Sequence, residues 1–271
     1  MSLIQTAGQV FDAVQKAKAG ATAYCTNFFP VEAKLKSWID HGEMDMELHD
    51  GAAFFFRKNR DFLHFYFCAA DAMTLQREIT TLSWMKTERI VTDLVGNEAT
   101  LNGLLSALEP AGFRRYARLQ RMARIGQPEI SADDAQIGFA ELADSRALLA
   151  LLENSFDHYG EQMPMLYEIE SAVENRQILV ARRDRALAGL LFFETQGLAS
   201  AIRFWMVAEP FRSLKIGSTL MHCYLKAHVA VRRFTLWVNA GNENAIQKYR
   251  HYGYVPDGLI DHVLANKMIR P

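Results

Sequence analysis

The stretch Val207-Ala208-Glu209-Pro210-Phe211-Arg212-Ser213-Leu214-Lys215-Ile216-Gly217-Ser218-Thr219-Leu220 decides how this chain is read. Ala199 to Val207 reads as a strand, and Ile216 to Val231 reads as a helix. A short polar loop joins them. The N–H groups that open a helix have no intrahelical partner and carry partial positive charge. Such a turn binds a phosphate. A small residue at Gly217 lets the backbone come close to the anion. Taken singly, Gly217 is a loop glycine and Arg212 a surface charge. The strand, loop and helix around them give them meaning.

Further along stands Asn242-Glu243-Asn244-Ala245-Ile246-Gln247-Lys248-Tyr249, followed by Arg250-His251-Tyr252-Gly253-Tyr254. It follows a strand from Phe234 to Val238 and reads as a helix from Glu243 to Tyr252. Asn242 suits the helix N-terminus and Gly253 suits its stop. Ala245 and Tyr249, four apart, share one helical face. Without its neighbours Tyr249 would be an ordinary core tyrosine.

Together the two stretches resemble the two signatures of the GNAT superfamily of N-acyltransferases. The first has the pattern Arg/Gln-x-x-Gly-x-Gly/Ala, matched by Arg212 and Gly217, with Leu220 following. Lys215 stands at the first glycine of that pattern, and Ser213 stands where glycine is common. A lysine fits that turn with negative φ, or with positive φ if the strain is offset. Its ammonium could then reach a phosphate. The second signature is Asn-x-x-Ala-x-x-x-Tyr-x-x-x-Gly-Phe, matched by Asn242, Ala245, Tyr249 and Gly253, with Tyr254 for Phe. The resemblance covers the second half of the chain, from about Ile130 to Pro271.

The resemblance implies acyl transfer from acetyl-CoA directly to a primary amine of a small molecule. In similar enzymes two central strands splay apart and the pantetheine arm pairs with the exposed strand. That role would fall on Trp205, Met206 and Val207, with the Val207 N–H holding the thioester carbonyl. Amides of Lys215, Ile216, Gly217 and Ser218 would cradle the pyrophosphate beside Arg212. Asn242 would contact the pantetheine arm. Tyr249 would protonate the departing thiolate. Cys223 is then not needed as a nucleophile and reads as packing. A base must take the amine's proton; Glu194 is the candidate chosen, with His158 and Glu161 as others. The segment from Phe156 to Met163 mixes polar and aromatic groups and suits a small polar amine.

Outward from these motifs the chain reads as two similar halves. Each runs helix, helix, three antiparallel strands, helix, strand, helix, strand. In the first half the helices are Ile4–Ala19 and one opened by Pro30, and the strands start at Met44, Ala52 and Phe62. Helices from Asp71 to Met85 and Glu98 to Leu108 alternate with strands Ile90–Val95 and Phe113–Arg124. In the second half Asp144 and Pro164 open helices, strands begin at Ile178, Leu187 and Ala199, and two short strands close the chain. Val95-Gly96-Asn97-Glu98 echoes Ala240-Gly241-Asn242-Glu243. The fold expected is α/β of the α+β type. It has two GNAT-like domains, 1–126 and 127–271, each a mixed, mostly antiparallel twisted sheet flanked by helices. The linker expected is 125–134, rich in Gly, Pro, Ser and Asp. The first half lacks both signatures. It reads as a degenerate copy without cofactor binding, serving the acceptor pocket or a homodimer.

Bulk composition excludes several classes. Of 271 residues half are hydrophobic and 23% charged, a globular balance. A formal net charge of −1 gives no global argument for nucleic acid or an anionic membrane. The five arginines between Arg114 and Arg124 read first as a charged edge strand, otherwise as a patch for an acidic partner. The histidines and the three cysteines show no paired ligand spacing, so no metal is expected. No signal peptide and no apolar run near the ~20 residues that span a bilayer is found. A cytoplasmic protein is expected. Two other readings remain beside the N-acetyltransferase: a longer-chain or carrier-protein-linked acyltransferase, and a non-catalytic acyl-CoA-binding scaffold.

Overall fold

The structure, a computed structural model, describes residues 2–126, 137–184 and 186–269. The expected linker lies outside the described residues from 127 onward. The chain divides into two compact units. One holds Met1–Leu119 with Gly258–Pro271, the other Gln120–Asp257.

The first unit opens with the short strand β1 (Ser2–Leu3) and helix α1 (Ala7–Lys18). Thr6 caps α1 through a reciprocal pair: its Oγ1 accepts from the Gln9 N–H, and the Gln9 Oε1 accepts from the Thr6 N–H. Then come β2 (Cys25–Thr26), α2 (Glu32–Asp40), β3 (Met44–His49), β4 (Ala52–Asn59) and β5 (Phe62–Ala69). Helix α3 (Ala72–Ile79), β6 (Ile90–Gly96), α4 (Glu98–Leu108) and the start of β7 (Arg114–Ile125) follow. The period-two alternation of β4 and β5 sends Phe54, Phe56, Phe65 and Phe67 to one face. There they meet Leu75 of α3 and Leu101 of α4. Ala53, Phe55 and Cys68 face the other way, onto Val10 of α1 and Leu35 of α2.

The sheet order in this unit is β1-β3-β4-β5-β6, then β13 (Val255–Ala265) from the far end of the chain. Ile260 pairs with Gly96 and Ala265 with Val91, antiparallel. This departs from a cut at 126. The chain crosses between units inside β7 and inside β13, because the apolar alternation of β13 puts Ile260 and Leu264 into the first unit's core. The two short final strands expected are this single strand. Gly258, at φ +88°, lies within it.

The parallel pair β5–β6 is short, running only from Leu63↔Ile90 to His64↔Val91. Beyond it the two strands part, and Asn27 fills the gap. Its Nδ2 donates to the Asp93 carbonyl at 3.0 Å and to Thr92 Oγ1 at 2.8 Å, and its Oδ1 accepts from the Phe67 N–H at 2.8 Å. Ahead of it β2 pairs antiparallel with Cys68 and Ala69.

The second unit repeats the plan. After the rest of β7 it holds β8 (Ile137–Phe139), α5 (Ser145–Glu153), α6 (Leu166–Glu174), β9 (Ile178–Arg183), β10 (Ala186–Gln196) and β11 (Ala199–Val207). Helix α7 (Ile216–Ala227), β12 (Arg233–Asn239) and α8 (Glu243–His251) complete it. The sheet order is β7-β12-β11-β10-β9-β8, with β11–β12 the parallel pair. Leu191 and Phe193 pack on Leu220 and Tyr224 of α7 and Ile246 of α8. Leu190 and Phe192 pack on Leu148 of α5 and Ile169 of α6. Helix α7 stops four residues before the expected Val231, where the His228 ring sits 2.7 Å from the Tyr224 carbonyl. The echo between halves has a physical reason: Asn97 and Asn242 each cap a helix, accepting from the N–H three residues on.

Candidate active site

The site of the second unit begins where β11 and β12 separate. Their parallel register covers only Ala199↔Arg233 to Ile202↔Leu236, while β11 runs on to Val207. One edge of its last residues therefore has no strand partner. Which amides face that edge follows from the other side. Gly189 stands opposite Val207, and the Ala208 N–H donates to the Ala188 carbonyl at 2.9 Å. Antiparallel pairs alternate between bonded and non-bonded. Ala208 and Met206 are then bonded to β10, and the backbone groups of Val207 and Trp205 point into the gap. Of the three residues expected there, two offer backbone and Met206 offers its side chain to the cavity wall.

A bulge sets this geometry. Phe192 pairs with Phe204 but Phe193 with Ile202, leaving Arg203 as the extra residue. Without that slip the amides that face the gap would be the intervening ones.

The loop after β11 keeps a left-handed shape without glycine. Ser213 has φ +74° and Lys215 φ +58°. The carbonyl of Lys215 accepts from the Thr219 N–H at 3.0 Å and from Ser218 Oγ at 2.7 Å, with Thr219 Oγ1 at 3.2 Å. These bonds fix the turn. They leave the amides of Ile216, Gly217 and Ser218 at the head of α7, which has no side-chain cap. Gly217 lies against the strand: a Cβ there would stand 3.4 Å from Trp205 Cζ2 and from Val207 Cγ2. The Trp205 Nε1–H donates to the Gly217 carbonyl at 3.1 Å.

Two cavities meet at this point. The larger, about 1020 Å³, is walled by Trp205, Met206, Val207, the loop from Phe211 to Ser213 with Lys215, the head of α7 and one face of α8. That face is Asn244, Gln247, Lys248 and His251, spaced as a helical stripe. The smaller, about 620 Å³, is walled by Asp157, Glu161, Arg203 and Trp237 among others. Ser155, Phe156, Trp205, Asn242, Ala245 and Tyr249 border both.

Tyr249 is 9% exposed, its ring 5.5 Å from that of Trp205. Its hydroxyl makes no hydrogen bond among the described residues. Burial holds the phenol well above its ordinary pKa, and the Glu161 carboxylate pushes it the same way. It stays protonated at any working pH.

The structure therefore brings together Trp205, Met206, Val207, Arg212, Lys215, Ile216, Gly217, Ser218, Asn242 and Tyr249. It does not bring Glu194. That carboxylate lies outside both walls, in an ion pair with Arg203 at 2.6 Å. Period-two alternation could not show this, because the partner Arg203 comes from the bulge of the neighbouring strand β11. The His158 ring lies 3.9 Å from that of Tyr159, tilted to it, and is also off both walls. Glu161 is the one of the three candidates on the wall. Arg203, Trp237, Lys248 and His251 were not singled out by sequence, and Asp157 only as part of the segment from Phe156 to Met163; Lys248 and His251 had a signal in the stripe of α8. Cys223 packs on the core beside α7. The arginines of β7 are mostly taken: Arg114 by carbonyls, Arg118 by Glu98, Arg121 by Asp257, Arg124 by the Tyr252 carbonyl. Among the described residues no group of three or more His, Cys, Asp or Glu could hold a metal, and no helix is long and apolar enough to cross a membrane.

Residues 145–254 match the model of the acetyltransferase (GNAT) family. No curated protein sequence matches the chain. Among solved structures it is similar to a tandem GNAT protein from the clavulanic acid biosynthesis pathway, 11% identical, covering 98% of this chain and 96% of that one at TM-score 0.61. It is similar to a GCN5-related N-acetyltransferase from Sphaerobacter thermophilus, 18% identical, covering 81% and 77% at TM-score 0.58. A third, from Kribbella flavida, is 13% identical and covers 89% and 97% at TM-score 0.58. At these identities the likeness is one of fold. The family match thus places a GNAT acetyltransferase domain at residues 145–254, in a chain with the fold of a tandem GNAT protein.

Proposed function

We propose that the second unit transfers an acetyl group from acetyl-CoA directly to a primary amine of a small molecule. The observation that carries this is the position of Tyr249, buried and unbonded where the two cavities meet, one walled by the helix head and the other by carboxylates.

The residues fit an acyl-CoA. The larger cavity, about 1020 Å³, has the room for it, and the open edge at Trp205 and Val207 suits an amide-bearing arm that adds as a strand. Amides of Ile216, Gly217 and Ser218, with Arg212 and Lys215 beside them, suit a pyrophosphate. The acyl thioester would lie at the cavity junction.

The chemistry then follows from proton positions. An amine in the smaller cavity attacks the thioester carbonyl, forming C–N and breaking C–S. Glu161, directly or through water, takes the proton the nitrogen sheds. The Val207 N–H donates to the carbonyl oxygen as negative charge grows on it. Tyr249 gives its proton to the departing thiolate. A phenol of raised pKa is a reluctant acid, but the same burial raises a thiol beside it, which brings the two closer for the transfer.

Tyr249→Phe tests this. Calorimetric binding of acetyl-CoA should persist, while kcat falls by about 100-fold or more, the range for one general acid. The wild-type rate should show no alkaline fall belonging to Tyr249. Unchanged turnover in the variant would remove the general-acid role. Failure of the wild type to bind acetyl-CoA, CoA or a long-chain acyl-CoA would leave a scaffold protein.

A further inference from the structure

The smaller cavity has a charge pattern that narrows the acceptor. Arg203 is the one cationic side chain among the described residues on its wall. It is already held: Nη1 donates to Glu194 Oε1 at 2.6 Å and Nη2 to the Gln162 carbonyl at 3.1 Å. The anions are Asp157 and Glu161. They come from one turn of the α5–α6 loop, closed by the Glu161 N–H donating to the Asp157 carbonyl at 2.9 Å. That closure sets both carboxylates on the same wall. Asp157 Oδ1 accepts from the Tyr159 N–H at 3.1 Å, and Asp157 has no ion pair among the described residues. Phe156 and Trp237 lie on the same wall and suit an alkyl segment.

Tyr249 marks where a ligand atom belongs, independently of the acids. It is nine-tenths buried, lines this cavity and has an unbonded hydroxyl. Glu161 is near enough for its charge to act on that phenol. Glu161 is therefore assigned to the reacting end, with Asp157 at the other end of the same loop turn on this wall. Asp157 is an exposed residue of this wall with no ion pair among the described residues, so a second ammonium would give it a screened partner that a monoamine lacks. An acceptor with its own carboxylate would meet Asp157 as a like charge, with Arg203 already engaged.

We propose that the acceptor is a small aliphatic molecule with two amines, one reacting beside Glu161 and the other, as ammonium, paired with Asp157. This rests on the transferase reading above, and the experiment separates the two.

Three amines of equal chain length differ only at the far end: diaminobutane, butylamine and aminobutyrate. Each is assayed for acetylation and, separately, for binding by calorimetry, next to a titration with acetyl-CoA. Diaminobutane should exceed butylamine in kcat/KM by about tenfold, the size of one partly screened charge pair. Aminobutyrate should rank last. Asp157→Asn keeps the acceptor for Tyr159 and should bring the diamine-to-monoamine ratio close to one. Equal rates for diamine and monoamine, a preference for aminobutyrate, or a ratio unmoved in Asp157→Asn would each overturn the proposal and leave the transferase standing. Acetyl-CoA binding without any diamine binding would overturn it too. Diamine binding without acetyl-CoA binding would uphold the dicationic pocket and sink the transferase reading.

Discussion

Lys215 adopts φ +58°, a conformation that costs an ordinary L-residue roughly 1–2 kcal/mol. The three donors gathered on its carbonyl hold it there. The sequence left two outcomes for this position, negative φ or offset strain, and the second is the one found. Conformation and charge can be separated by two substitutions that both remove the ammonium. Lys215→Gly relieves the strain, whereas Lys215→Ala keeps it. The glycine variant should be more stable than the alanine variant by about 1 kcal/mol after the extra backbone entropy of glycine is allowed for. That is about 3 °C in Tm for a unit of this size. Equal melting temperatures would mean the loop relaxes away from the left-handed turn. The ammonium is read from the other comparison: wild type should bind acetyl-CoA more tightly than Lys215→Ala if it reaches a phosphate, and equally if it does not.

At the scale of elements the two units differ in how they treat the same two features. In the second, parted strands leave an open edge and the head of α7 has no side-chain cap. In the first, the gap beyond β5–β6 is filled by Asn27, and the head of α3 is capped by its own carboxylate, Asp71 Oδ1 accepting from the Thr74 N–H at 2.7 Å. That bond is the main cause of the lowered Asp71 pKa. Both places where a donor would bind are thus occupied by the chain itself. The missing glycine and cation after Cys68 were visible in the sequence, so the lack of a phosphate-binding turn there was legible. The filling was not. Asn27 lies in a stretch with no periodicity, and its partners Phe67, Thr92 and Asp93 are at least 40 positions away. The same limit hid Arg203: a bulge is a mismatch between two strands, and neither strand carries it alone. The helices and the motif residues were legible because capping and the 3.6 period are local. Asn27→Ala would take away the acceptor of the Phe67 N–H and one donor to the Asp93 carbonyl. It should cost about 2 kcal/mol or more, read from a urea midpoint. Acetyl-CoA should still bind once per chain, since Asp71 still caps α3. A second equivalent would show that the first unit is competent once opened.

For the whole molecule the consequential feature is the return of the chain. Residues 258–271 follow the second unit in sequence yet complete the first. They bring β13, which covers the edge of β6 and puts Ile260 and Leu264 into the core with Phe65, Leu94 and Leu101. Just beyond, Asn266 is buried. Its Nδ2 donates to the Met85 and Glu88 carbonyls at 3.0 and 2.7 Å, and its Oδ1 lies 3.2 Å from the Ile90 N–H. Burying two such aliphatic side chains contributes about 1.5–3 kcal/mol each. The Asn266 bonds add about 1 kcal/mol apiece. Their sum is of the order of the 5–15 kcal/mol that separates a folded domain from its unfolded chain. A chain ending at Asp257 should therefore lose the first unit, not merely weaken it. Proteolysis should digest residues up to about Leu119 while a resistant fragment spanning 120–257 survives. Supplying 258–271 as a peptide should restore protection to the first unit at sufficient concentration, by mass action. A truncated chain that keeps one cooperative urea transition with an unchanged slope would show that the first unit holds together through residues 2–119 alone.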